Sequence, residues 1–143
     1  MTDVVSSEKR SQMMSGIRSK NTGPEMIVRR ELHARGFRYR LHAKELPGKP
    51  DLVFPRYRCV VMVHGCFWHG HDCHLFKLPG TRVDFWLAKI NRNRQRDIEV
   101  REALQAQSWR VLEVWECDLR ASKKFGYIPL VDRIENWICA EGT

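Results

Sequence analysis

Apolar residues fall in short blocks along the chain, and their spacing predicts helices alternating with strands. Ile27, Val28 and Leu32 line one side of a first helix. Thr22 is placed to cap it, Pro24 sits in its first turn, Glu25 can reach back in a capping box and Gly36 ends it. Phe37-Arg38-Tyr39-Arg40-Leu41 alternates with period two, which predicts a strand with one wet face. After a Pro-Gly-Lys-Pro turn, Asp51–Phe54 and Arg58–Val63 read as a hairpin around Pro55-Arg56-Tyr57. A loop rich in rings and cysteines runs on to about Gly80. From Val83 to about Gln107 the pattern is helical, with Phe85, Leu87, Ile90, Ile98 and Leu104 as a thin core stripe. Trp109–Trp115 predicts a strand buried on both faces, and Leu130, Ile134, Trp137 and Ile138 the face of a last helix. The order αβββαβα predicts a mixed sheet flanked by helices.

Residues 1–21 break that pattern. They are polar, Ser-rich and basic, with Met13, Met14 and Ile17 as apolar anchors, and read as an arm preceding one domain over residues 22–143. Packing on the body is the ordinary role for Met13 and Met14; insertion of an unbranched side chain between base pairs is the functional alternative. Lys and Arg number 25 against 17 Asp and Glu, a net charge of +8, which favours a polyanionic partner. No apolar run approaches a membrane span, so no membrane role is expected, and the five scattered cysteines read as cytosolic metal ligands or buried thiols. Cys59 and Cys139, on apolar faces, are expected to be buried thiols.

The chemistry concentrates in Val63-His64-Gly65-Cys66-Phe67-Trp68-His69-Gly70-His71-Asp72-Cys73-His74. Cys66, His71 and Cys73, with Cys117 just past the fourth strand, suit a closed tetrahedral zinc site. On spacing alone, His69 or His74 can replace His71 in that set. Asp51 and a backbone carbonyl near Val63 offer hard oxygen ligands for magnesium, although a turn-capping carboxylate is the commoner role for a single Asp. His64 and His69, if zinc does not claim them, can act on water and phosphate near neutral pH. Phe67 and Trp68 lie in a polar loop, and Trp86 shares a helix face with Lys89 and Asn93. Flat rings beside cations suit stacking on exposed bases.

The HGCFWH block, with His71 and Cys73, the upstream Pro47-Gly48-Lys49-Pro50-Asp51 and the downstream Trp109-Arg110-Val111-Leu112-Glu113-Val114-Trp115-Glu116-Cys117, resembles the very short patch repair (Vsr) endonucleases. The likeness runs from Arg10 to about Gly142. It implies a restriction-endonuclease-like fold and a strand-specific nick 5′ of the thymine in a T·G mismatch left by deamination of 5-methylcytosine. It further implies that Asp51 and the carbonyl of Val63 hold magnesium, that His69 is the general base, that His64 orients phosphate or water, and that Glu25 contacts a metal-bound water. Cys66, His71, Cys73 and Cys117 would hold zinc. Phe67, Trp68 and Trp86 would wedge beside the mismatch, with Lys89 and Asn93 on the same DNA-facing surface and Met14 entering from the other groove. The implied partner is mismatched duplex DNA, with mismatch-repair proteins as further candidates, and the implied setting is a monomer acting on the bacterial nucleoid in the cytoplasm. Familiar members carry a run of histidines where this chain has Gly70 and Asp72, a Thr where it has Val63, and often an aromatic residue at His74. Two rival readings are a noncatalytic zinc module that senses distorted DNA and a nuclease of the same fold with sequence preference.

Overall fold

A computed structural model describes residues 22–140. The N-terminal arm, with Met14, therefore lies outside the described residues. Helix α1 (Gly23–Ala34) opens as expected: Thr22 is the N-cap, its hydroxyl accepting from the Glu25 N–H at 3.4 Å, and Pro24 stands in the first turn. Gly36 ends the helix with a φ of +94°. The predicted strand after it shrinks to β1 (Arg40–Leu41). Phe37 and Tyr39 turn inward and Arg38 and Arg40 outward, but Leu41 is 38% exposed, because β1 is an edge.

The hairpin forms where it was expected, from β2 (Leu52–Phe54) and β3 (Cys59–His64). A 3-10 turn (Pro55–Tyr57) and a left-handed Arg58 join them. Helix α2 (Val83–Ala106) follows the long loop, and β4 (Arg110–Trp115) returns parallel to β3. Two helices close the chain, α3 (Glu116–Ser122) and α4 (Ile128–Cys139). The pattern did not predict α3, a helix of two turns. The sheet order is β1-β2-β3-β4, antiparallel except for β3–β4, so the mixed sheet flanked by helices is borne out.

Strand periodicity sorts the core into two halves. Leu52, Phe54, Cys59 and Val61 face Val28 and Leu32 of α1, Leu119 of α3 and Leu130, Ile134 and Ile138 of α4. Val53, Val60 and Met62 face Leu104, Val100 and Trp109 on the other side. Two expectations fail here. In α2, Phe85, Leu87 and Ile98 are 40–44% exposed, and Ile90 and Leu104 alone are fully buried: Leu104 meets the sheet, while Ile90 lies against the loop at Gly70. In β4, Val114 alone is fully buried; as an edge strand it is only partly covered. Cys59 is buried as expected, but Cys139, at the end of α4, is exposed.

Gly48 is where the turn before Asp51 meets α2. Its φ is +72°, and a Cβ there would lie 2.4 Å from Cγ1 of Val100, a stiff β-branched neighbour. Gly48→Ala should cost about 2 kcal/mol of stability, read by urea denaturation; an unchanged midpoint would show that the turn yields freely.

Candidate active site and metal clusters

The turn and the strand ends converge on a cleft of about 770 Å³, lined among others by Glu25, His42, Asp51, His64, Trp68, His69 and Asp97. The hairpin register sets one wall. With Leu52 opposite Val61, Asp51 falls beside the end of β3, and its Oδ2 accepts the Val63 N–H at 2.7 Å. Glu25 reaches the same place from α1. It is 2% exposed, its Oε2 lying 2.7 Å from His42 Nε2 and 3.3 Å from Arg29. Ligand atoms of Glu25, His42 and Asp51 all lie within 4.8 Å of one another. Burial pushes the Asp51 carboxyl up to about 6, and the nearby Glu25 carboxylate adds to the rise. Two enclosed carboxylates that repel each other are a donor set suited to a hard divalent cation, so magnesium fits here.

The loop after β3 carries the second set. Cys66, His71, Cys73 and Cys117 place their ligand atoms within 4.8 Å of one another. Tetrahedral zinc with bonds near 2.0–2.3 Å needs ligands roughly 3.5–4 Å apart, so the four fit with small adjustments. Tight turns bring them together, as His71 N–H donates to the Cys66 carbonyl at 2.9 Å and Cys117 N–H points at Cys66 Sγ at 3.3 Å. His71 presents Nδ1 to Cys117 Sγ at 3.5 Å while its ring stacks on Trp115 at 4.0 Å and 9°. Burial pushes the Cys66 thiol up to about 12, so a neighbouring positive charge is needed to keep it as a thiolate. His69 and His74, the alternatives left by spacing, lie outside this cluster among the described residues.

His69 has a different partner. Its Nδ1 lies 2.6 Å from Asp97 Oδ2, so in the neutral ring Nδ1 donates to the carboxylate and Nε2 carries the lone pair. His64 packs beside it, ring centroids 4.0 Å apart, with Trp115 at 5.0 Å on another side. Phe67, Trp68 and Trp86 form a half-exposed edge-to-face group, with centroids 5.2–5.8 Å apart. Asn93 donates to the Trp68 carbonyl at 2.8 Å, so its amide already holds the loop, while Lys89 on the same helix is partly buried.

The sequence reading missed His42, Asp97 and Glu113. The signal for Asp97 was present: it follows Asn93 by one helical turn, on the face that already carried Trp86 and Lys89. Glu113 alternates with Leu112 and Val114 in a strand read as wholly buried, and that reading hid it. His42 sits in a left-handed conformation after β1, with φ of 47°, where no periodicity points.

A mixed α/β protein with a Cys-rich clamp beside a carboxylate–histidine cleft is the class that this geometry defines. The family model described as DNA mismatch endonuclease Vsr matches residues 2–75. The chain is 46% identical over its whole length to the DNA mismatch endonuclease Vsr of Escherichia coli, covering 92% of that protein. It is 55% identical over 119 residues to the type II nicking enzyme V.XorIIP of Xanthomonas oryzae, 83% of this chain and 88% of the relative. It is 47% identical over 120 residues to V.NmeAIP of Neisseria meningitidis, 84% and 86% of the two chains. The chain belongs to the Vsr DNA mismatch endonuclease family.

Two outcomes follow from the clusters. Cys117→Ser should lower both zinc content and melting temperature, since the clamp joins the loop to α3; full zinc content would remove Cys117 from the ligand set. The Asp51 carboxyl titrates above its unfolded value, so its ionised form costs stability above about pH 6 and nothing below about pH 4. Without added magnesium, Asp51→Asn should therefore stabilise the fold at pH 7.5 by about 1–3 kcal/mol, with the gain shrinking toward pH 4. Equal denaturation midpoints at both pH values would show that enclosure costs this carboxylate little.

Proposed function

We propose that this chain is a DNA endonuclease that nicks one strand 5′ of the thymine in T·G mismatches, within a single restriction-endonuclease-like domain preceded by a basic arm over residues 1–21. The observation that carries the reading is the separation of the histidines. His69 pairs with Asp97 in the cleft, while His71 turns to the cysteines. An imidazole outside the thiolate cluster, oriented by a carboxylate and facing Asp51 across a cleft, is equipped to take a proton.

Asp51 and the Val63 carbonyl would hold magnesium, and the shared cluster puts Glu25 and His42 close enough to order water around it. Magnesium there would supply positive charge against the oxygen that leaves phosphorus. His69 Nε2 takes a proton from the attacking water, oxygen adds to phosphorus, and the bond to the leaving sugar oxygen breaks. His64 orients water or phosphate at the end of β3. Cys66, His71, Cys73 and Cys117 would hold zinc, tying the reactive loop to α3 without spending His69. Phe67, Trp68 and Trp86 present half-exposed rings to a distorted step, where each stack is worth about 1–3 kcal/mol. Lys89 and Asn93 stand along the same helix, and Met14 would enter from the opposite groove. The net charge of +8 supports binding of a duplex. A monomer acting in the bacterial cytoplasm on the nucleoid, meeting mismatch-repair proteins there, completes the reading; among the described residues no helix is long and apolar enough to cross a membrane.

The test is cleavage of matched and T·G duplexes with varied neighbours. The mismatched strand should be nicked in preference, and Asp51→Ala should abolish nicking while mismatch binding persists. Equal rates on matched DNA would favour a sequence-specific nuclease, and binding without cleavage by the parent protein would favour a sensor.

A further inference from the structure

The wall behind the paired histidines holds charged groups that the reading above does not use. Glu113 lies in β4, where Met62 is its partner across the parallel ladder, two residues before His64. Its side chain reaches His64 on one side and Arg101 on the other. One carboxylate oxygen lies 3.2 Å from His64 Nε2, and the other is gripped by Arg101 from α2. His64 is 7% exposed. Its Nε2 is fully enclosed and, although close to Glu113, is not aligned with any hydrogen-bond partner among the described residues. A buried ring nitrogen one small rotation away from a carboxylate needs a reason. Glu113 itself sits below the ordinary carboxylate range, through His64 first and Arg101 after it, so it is available as an acceptor.

The ring has little freedom elsewhere. Trp115 and His69 bracket it at centroid distances of 5.0 and 4.0 Å. Rotation within that slot brings Nε2–H onto Glu113, and the other ring nitrogen, Nδ1, is then the one left for a ligand. Arg101 completes a series on α2: Asn93, Asp97 and Arg101 stand at successive turns of one face, and they reach Trp68, His69 and Glu113 respectively.

We infer that Glu113, braced by Arg101, is a positioning residue for His64: it holds the Nε2–H end of the ring, so that Nδ1 is presented to the cleft as an acceptor. The inference rests on the endonuclease reading and decides between the two tasks left to His64. In its neutral form a ring held in this way accepts a hydrogen bond from a water at Nδ1 and does not donate one to a phosphate oxygen.

The experiment compares Glu113→Leu, Glu113→Gln and Arg101→Met, alone and with His64→Ala, by single-turnover nicking of a T·G duplex, duplex affinity and the ring ¹⁵N spectrum of His64 in the free protein. Glu113→Leu should slow nicking about 10–100-fold with affinity unchanged, and Gln, which keeps an acceptor, should recover most of the rate. In the His64→Ala background Glu113→Leu should add nothing further. The spectrum should show Nε2 protonated in the parent and lose that pattern in Glu113→Leu; if that variant does not fold, Arg101→Met supplies the weakened brace. Equal slowing with and without His64, or a ring spectrum indifferent to Glu113 and Arg101, overturns the inference. Were His64→Ala to nick as fast as the parent, the catalytic reading of His64 would fail instead, while the spectrum would still decide the positioning.

Discussion

A long loop between β3 and α2 carries most of the chemistry and has no strand ladder of its own, so everything depends on how it is fastened. It is fastened twice. Cys66, His71 and Cys73 gather with Cys117 at the start of α3, and Asn93 and Asp97 hold Trp68 and His69 from α2. The first is a set of soft ligands whose buried thiols a cation would neutralise. The second is made of two hydrogen bonds from adjacent turns of one helix. Without them the backbone of the loop would have only its own short turns, which fix local shape but not its position over the sheet.

The cleft carries an electrostatic cost that the core offsets. Asp51 is held by one backbone N–H and is crowded by Glu25, and burial raises its carboxyl toward neutrality. Such a site is less stable alone than a neutral one of the same shape, and it persists because the hairpin and α1 are buried on both sides of it. The turn at Gly48 presses on Val100 of α2, so the carboxylate and the loop fastenings share one neighbouring helix.

Much of this was legible beforehand where periodicity and special residues agreed. Thr22 and Pro24 marked the start of α1, Pro55-Arg56-Tyr57 the hairpin turn, and the clustered Cys and His the loop on which those ligand atoms converge. The choice of His71 over His69 and His74 was not legible from spacing, because it depends on which ring faces Cys117 in three dimensions. The apolar stripe of α2 misled for a related reason. Leu87 stands at helical spacing from Ile90, but it and Phe85 in the first turns of α2 are left exposed. Glu113 was hidden in a run apolar at most positions and read as buried on both faces, and Asp97 in a heavily charged helix. Single side chains that reach across to another element leave no periodic trace.

The register of Asn93, Asp97 and Arg101 on α2 has a consequence for safety. A DNA endonuclease is dangerous when it is half assembled, since a loosened copy that still cuts would lose its choice of site. Here the Trp68 backbone, the His69 ring and the Glu113 carboxylate are held from one rod at successive turns. Should that rod slip or fray, its three contacts would be lost together even with the cysteine cluster intact, and a damaged molecule would fall silent before it became indiscriminate.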